Sequence, residues 1–327
     1  DVGRFTAGLR KISDDTQFIL AGDHLQLPPV TKVDLKEPEE NYFDSIFEYY
    51  NKEFDSIIRS ELLYNRRSNK IIVDYGKETF DYPERYVSDS SVKKGKIKFK
   101  NSIKKESKLY KKILAPNNPI VLLNYEDGDS NQSNEFEAEE VGKIVKRIWD
   151  NGLIKFNNNG VDTEPYDIFD FFTQGIGIVS PHTAQRTKIQ NNLVNDYFKP
   201  IIDEFSYKQK EKLKKKIVSC VDTVEKFQGR QREIIIVSYS LGDPEIINQE
   251  EEFIYDPNRL NVMISRARFK AIVLASNELI TNIGNEIEVI DMQEALNKLV
   301  SYCDTKEKIT TQKRWMEKQG VLRYKSF

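Results

Sequence analysis

Short apolar runs and longer amphipathic stretches alternate along the chain. Residues 17–21, 119–123, 175–179, 234–237 and 271–275 are runs rich in Ile, Val, Leu and Ala. Each has the length and near-uniform hydrophobicity of a strand covered on both faces. Between them, Val141, Ile144, Val145 and Ile148 repeat at i, i+3, i+4, i+7, and Ile189, Leu193 and Tyr197 share one side of another helix. Strands alternating with such helices predict βαβ units around a parallel sheet, an α/β fold. Polar residues 31–40, with Pro38, read as a loop before Tyr42, Ile46, Phe47 and Tyr50 resume a helical face. A first unit therefore ends near residue 60. Residues 287–290 and a helix through Ala295, Leu296 and Leu299 complete a second domain spanning 61–303, leaving 304–327, with Trp315 among charges, as a tail.

Composition narrows the class. The 327 residues carry 50 Lys+Arg against 52 Asp+Glu, a net charge of −2, and are 39% hydrophobic. That balance describes a globular chain and excludes fibrous, collagen-like and disulfide-scaffold classes. No apolar run approaches the ~20 residues that span a bilayer, and the N-terminus lacks a secretory pattern, so a reducing cytoplasm is the expected setting. Cys220 and Cys303 are far apart, and His24 and His182 are the two histidines, which leaves almost no ligands for a structural zinc. No metal site is expected. Residues 88–112 and 208–216 are lysine-rich and read as solvated faces in preference to a nucleic-acid groove.

Candidate chemistry lies where strands give way to turns. Gly22-Asp23-His24-Leu25-Gln26-Leu27-Pro28-Pro29 follows the first apolar run. In open α/β sheets, ligands gather at the carboxyl ends of strands, although a turn stiffened by two prolines would look the same. Asn65-Arg66-Arg67-Ser68-Asn69 precedes a helical stretch reaching Phe80, and Gly177 to Gln185 runs from a strand into a helix through Pro181 and His182. Val221 to Gln231 leads to the strand at Ile234, and Arg259 to Arg268 is an amphipathic helix running into the strand at Ala271. Taken singly, Arg67 reads equally as an exposed charge, Phe227 as core, and Arg266 and Arg268 as a salt-bridged helix face.

Together and in this order, these segments resemble superfamily 1 helicases, in the branch containing the nonsense-decay RNA helicase and the nuclease-fused replication helicase. Residues 22–29 match motif III, and 65–68 resemble the Asn/Gln-Tyr-Arg segment opening the second motor domain. Asn134-Glu135-Phe136-Glu137-Ala138 resembles the Asn-x-x-Glu-Ala helix start, 177–185 the strand–Pro–aromatic–x–x–Gln segment, and 221–229 and 259–268 motifs V and VI. The resemblance covers roughly 15–276 and implies a RecA-like P-loop NTPase fold, with 1–60 the end of a first RecA-like domain and 61–303 a second. Two positions depart from the pattern: Arg66 stands where Tyr is usual, and Gln231 where an acidic residue is usual. An amide still hydrogen-bonds a hydroxyl but cannot serve as an anionic acceptor.

The resemblance implies an ATP-dependent helicase translocating 5′ to 3′ on a single strand and using ATP and Mg²⁺; these motifs read alike on DNA and RNA, with DNA expected slightly ahead of RNA, and a monomer is expected. Arg67 and Arg266 would be arginine fingers on the γ-phosphate, with Gln26 coupling phosphate sensing to movement. Asp23, Gly229, Gln231 and Arg268 would serve the nucleotide; Pro28, His182, Thr183, Thr223 and Lys226 would serve the strand. The phosphate cradle is missing from this sequence: there is no G-x-x-x-x-G-K-[ST] and no convincing Asp-Glu pair. The first residue is Asp1, not Met, and a chain cut just after the acidic pair is expected to bind ATP poorly and hydrolyse none. The competing expectation is a non-hydrolysing nucleic-acid-binding or scaffold relative, to which Arg66 and Gln231 lend support.

Overall fold

The computed structural model describes residues 13, 15–17, 19–27, 47, 49, 50, 54, 58–156, 164–313 and 316–327. The chain divides into two compact units, Asp1–Leu62 and Leu63–Phe327.

In the first unit, the apolar run 17–21 departs from expectation. Gln17, Ile19, Leu20 and Ala21 form no strand, and Ile19 is 93% exposed. A strand exists only by pairing its N–H and C=O groups, and no strand lies beside this run among the unit's described residues. Phe47, Tyr49 and Tyr50 are helical; Tyr42 and Ile46 of the expected helical face lie outside the described residues.

The second unit begins with β1 (Tyr64–Asn65), α1 (Lys70–Thr79) and β2 (Val87–Ser88), the two short strands pairing in parallel. The Asn69 side chain caps α1 by accepting from Ile72 N, which is why the helix starts there. Next come α2 (Lys108–Leu114), β3 (Ile120–Tyr125) and α3 (Glu135–Asp150). A short α4 (Ile168–Asp170) and a wide π turn over 171–175 feed β4 (Ile176–Ser180), followed by α5 (Thr183–Asn192), α6 (Lys199–Asp203) and α7 (Tyr207–Ser219). Then follow β5 (Val221–Thr223), α8 (Val224–Phe227), β6 (Arg232–Ser238), α9 (Pro244–Gln249), α10 (Glu251–Tyr255), α11 (Pro257–Ser265) and β7 (Ala267–Ser276). The chain closes with α12 (Asn277–Thr281), α13 (Ile287–Tyr302), β8 (Thr305–Lys313) and β9 (Met316–Lys325).

Seven strands make one sheet in the order β5-β4-β6-β7-β3-β9-β8. The first five are parallel, as the apolar runs predict, and Ile234 to Val237 and Ala271 to Ala275 are fully buried. One face carries the core of Val141, Ile144, Val145 and Ile148 from α3 with Ile189 and Leu193. On the other, α1, α11 and α13 pack together beside β6 and β7.

Residues 304–327 differ from the tail expected of them. They form the hairpin β8–β9, and β9 pairs antiparallel with β3 from Ile120↔Lys325 to Tyr125↔Gly320. The polar residues of these strands hide the pairing: β8 lies at the sheet edge and β9 beside it, antiparallel strands of this kind need only one apolar face, and their charges look like those of a solvated tail. No helix among the described residues is long and apolar enough to cross a membrane.

Candidate functional site

The candidate residues of the second unit sort to opposite ends of the parallel sheet. Arg67, Gly229, Gln231, Arg266 and Arg268 gather before the first residues of β6 and β7 or at them. His182 and Thr183 follow the last residue of β4, Thr223 is the last residue of β5 and Lys226 follows it.

At the amino end, three distant segments meet. Asn65 Oδ1 accepts from the N–H groups of Arg67 at 2.8 Å and Ser68 at 2.9 Å, folding the segment into a tight turn that projects Arg67. The turn is fastened to β7, with Ser68 Oγ donating to Ala267 O at 2.6 Å and Asn69 N to Arg268 O at 2.9 Å. Arg67 then donates through Nε to Gln231 Oε1 at 3.2 Å and through Nη1 to Ser265 O at 3.1 Å. Arg232 N donates to Arg266 O at 3.1 Å, closing the third side. Segments 65–69, 231–232 and 265–268 thus form one cluster of fixed donors.

Within the cluster the arginines differ. Arg67 is half-buried, whereas Arg266, on the turn that caps α11, is 2% exposed and donates to Val262 O at 3.3 Å. Helix α11 ends at Ser265, so Arg268 belongs to β7, not to the helix expected over 259–268; its guanidinium lies 4.9 Å from the Phe156 ring and 5.1 Å from that of Phe269. Gly229 has φ +81 and open space where a Cβ would stand, so its backbone is approachable.

In the first unit, Asp23 holds its own turn: Oδ1 accepts from Leu25 N at 3.1 Å and Oδ2 from Gln26 Nε2 at 2.7 Å. Pro28 lies outside the described residues.

At the carboxyl end, Thr183 and Lys226 are exposed, but His182 and Thr223 are 6% and 8% exposed. The resemblance sets His182 against bases or sugars; its ring is instead enclosed, with Nδ1 3.1 Å from Ser240 Oγ and Nε2 2.7 Å from Glu250 Oε2. An imidazole offers two nitrogens, and a buried one is driven to partner both. Thr223 is covered because it ends β5 and leads directly into α8.

Beneath this end runs a buried polar network not expected from the sequence. Glu137 is fully buried and accepts from Tyr125 OH at 2.6 Å, from Ser240 N at 3.0 Å and from Ser238 Oγ. Burial pushes its carboxyl up to about 7 despite those three donors. Asn134 N donates to Gln185 Oε1 at 2.8 Å, and Gln185 Nε2 donates to Ser238 Oγ at 2.8 Å. The Asn-x-x-Glu and x-x-Gln segments therefore lock α3, α5 and β6 together. Asn134 and Glu137 could have been found from their spacing, since Asn134 also caps α3 by accepting from Glu137 N. Glu250, inside a run of acids, carried no such signal.

A mostly parallel sheet with helices on both faces and donors clustered at one strand end is the RecA-like form of the P-loop fold. The protein family described as "AAA domain" matches residues 42–278, and the chain belongs to it, as a region of the superfamily 1 helicase type. The DNA replication ATP-dependent helicase/nuclease DNA2 of Xenopus laevis is 27% identical over 303 residues, covering 86% of this chain and 26% of that protein. The regulator of nonsense transcripts 1 homolog of Neurospora crassa is 27% identical over 270 residues, covering 81% of this chain and 20% of that protein. An uncharacterised ATP-dependent helicase of Methanocaldococcus jannaschii is 27% identical over 271 residues, with 81% and 33% covered. The chain therefore spans a third or less of these relatives' lengths.

Proposed function

We propose that this chain is the C-terminal motor region of an ATP-dependent helicase that moves 5′ to 3′ along a single strand. The convergence of Arg67, Gln231 and the Ser265–Arg266 turn carries the reading, because guanidinium groups fixed at one strand end suit the charge of a transferring phosphoryl group. ATP with Mg²⁺ would supply the phosphoryl chemistry. Its γ-phosphate would take hydrogen bonds from Arg67 and from Arg266, the latter after release of the Val262 carbonyl. The open backbone of Gly229 suits close approach of phosphate, Gln231 holds Arg67 in place, and Arg268 supports the cluster from β7. Gln26, whose side chain donates to Asp23, would couple phosphate sensing to movement.

Thr183 and Lys226 are the exposed contacts for the strand's backbone, and Pro28, within the motif III sequence, would touch its bases or sugars; Thr223 and His182 would engage only as their surroundings open. DNA is favoured over RNA, and the chain acts as a monomer in the cytoplasm.

With no phosphate cradle in its sequence, the purified chain hydrolyses no ATP, with or without single-stranded nucleic acid; measurable stimulated turnover would refute this. Joined to a domain that supplies the cradle, Arg67→Ala lowers turnover about 10³–10⁵-fold, or about 4–7 kcal/mol of barrier. A Thr183→Ala, Thr223→Ala pair weakens single-strand binding, and unchanged affinity removes both assignments.

A further inference from the structure

The lysine-rich segment that reads in sequence as a solvated face is a built surface. Between Lys93 and Lys112 there are ten lysines and one acid, Glu106, in a chain whose net charge is −2. The apolar residues of the segment all turn inward: Ile97, Tyr110, Ile113 and Leu114 are buried, and Phe99, Ile103 and Leu109 pack against the same core. Lys93, Lys94, Lys98, Lys100, Lys104, Lys105, Lys108 and Lys111 are left exposed.

The backbone beneath them is pinned. Ile154 N donates to Lys98 O at 2.9 Å, Lys100 N to Gly152 O at 2.9 Å and Asn101 N to Asn151 O at 3.0 Å. This extended pairing projects Lys98 and Lys100 on one side, about 7 Å apart. Gly95 seats the segment against Phe269 near the start of β7, where any Cβ would collide with the ring. The surface thus runs from the amino end of β7 past the end of α3 to α2, at the opposite end of the sheet from Thr183 and Lys226.

Its charge is also unspent. Glu106 is occupied by Arg147 at 3.1 Å and by Asn151 at 2.9 Å, Asp150 pairs with Lys146, and Glu307 serves Lys108 and Lys112 at 3.1 and 2.9 Å. Among the described residues, Lys93, Lys94, Lys98, Lys100, Lys104, Lys105 and Lys111 have no acidic partner. Like charges held this close repel one another, and a polyanion relieves that repulsion while releasing its own counterions.

We propose that residues 93–111 form a second docking surface for nucleic acid, gripping the phosphate backbone of a single strand independently of the contacts at the carboxyl ends of β4 and β5. It rests on the reading of the chain as part of a nucleic-acid motor. The segment exposes no aromatic side chain of its own, the exposed ring beside it being Phe327 under Lys96 at 4.2 Å, and flexible point charges of this kind grip phosphates and read no sequence. With a single exposed ring beside the lysines and no exposed large apolar side chain within 93–111, the surface lacks the apolar centre that an acidic protein partner would need.

The test is binding of a long oligo(dT) strand to the purified chain and to a Lys98→Glu, Lys100→Glu, Lys104→Glu, Lys105→Glu variant across a salt series, with thermal unfolding as a check that the fold is kept. The variant is expected to bind at least about tenfold more weakly at low salt, with the salt slope flattened by about 0.7 for each phosphate it no longer grips. The four-glutamine variant is expected to fall between the two. Unchanged affinity and slope overturn the proposal, as does polyglutamate binding as tightly as oligo(dT). If the Thr183→Ala, Thr223→Ala pair binds normally while the lysine variant does not, the carboxyl-end assignments fail and the lysine surface stands; the reverse result removes the lysine surface alone.

Discussion

Arg67 Nε donates to Gln231 Oε1 across 3.2 Å, so the side chain that most resembles an arginine finger is parked on the one that departs most clearly from the family's pattern. A neutral amide holds a guanidinium by hydrogen bonding alone and lets it go at modest cost.

Gln231→Glu converts that hydrogen bond into an ion pair. Because Gln231 is exposed and Arg67 half-buried, the gain in stability is small, under about 1 kcal/mol, and disappears at high salt. Denaturant unfolding at low and high salt measures it; a gain that survives high salt would place the two groups in a drier environment than the structure gives them.

Glu137 makes stability fall as pH rises. Its folded pKa, about 7, lies above its ordinary 4.5 because burial disfavours the charge, so the folded state holds a proton that the unfolded state has lost. The contribution is complete below about 4.5 and is lost as pH rises through about 7, with a magnitude on the order of 3 kcal/mol. Glu137→Gln keeps an oxygen for Ser238 and Ser240 and removes the titration. Its unfolding free energy is expected to be flatter than the parent's between pH 4.5 and 7; identical slopes would refute the assignment.

Lys270 acts in the opposite sense and in a higher window. It is 1% exposed, its ammonium donates to Ala115 O at 3.0 Å and to Asn118 O, and burial pulls its pKa down to about 7. Between about 7 and 10.5 the unfolded chain binds the proton that the folded chain releases, so stability rises with pH across that range. Lys270→Met abolishes the rise, as a pH series of chemical denaturations from 7 to 10 would show.

Two glycines separate strain from crowding. Gly229→Ala has free space but a positive φ, and costs about 1 kcal/mol. Gly95→Ala meets the Phe269 ring and costs about 1–3 kcal/mol through displaced packing. Thermal unfolding of the two variants distinguishes the mechanisms, since adding a neighbouring Phe269→Leu rescues only the second.

The interior of the second unit was legible in the sequence because strands buried on both faces must be apolar throughout. The runs at 119–123, 175–179, 234–237 and 271–275 became β3, β4, β6 and β7 within two or three residues at most ends. Hydrophobicity says nothing about pairing partners, which is why the run at 17–21 resembled a strand without forming one and why β8 and β9 resembled a tail. The helicase resemblance names Arg67, Gln231, Arg266 and Arg268 together, but not the bonds from Arg67 to Gln231 and Ser265, which join positions 164 and 198 apart. The enclosure of His182 was hidden for a similar reason: Glu250 reaches it from 68 positions away, and nothing local marks that glutamate among its acidic neighbours.

The hairpin β8–β9 redraws the boundary of what can fold. The family's recognisable sequence stops at residue 278, yet β3, central to the core, takes its outer neighbour from residues 320–325, and the backbone N–H of Phe327 is bound to Asn117 O at 3.0 Å. A chain ended after α13 would open six ladder positions of an all-buried strand to solvent and to other copies of itself. Such a truncation is expected to aggregate while keeping the whole family match at 42–278, so the smallest unit that the family pattern recognises is shorter than the smallest unit that stays folded.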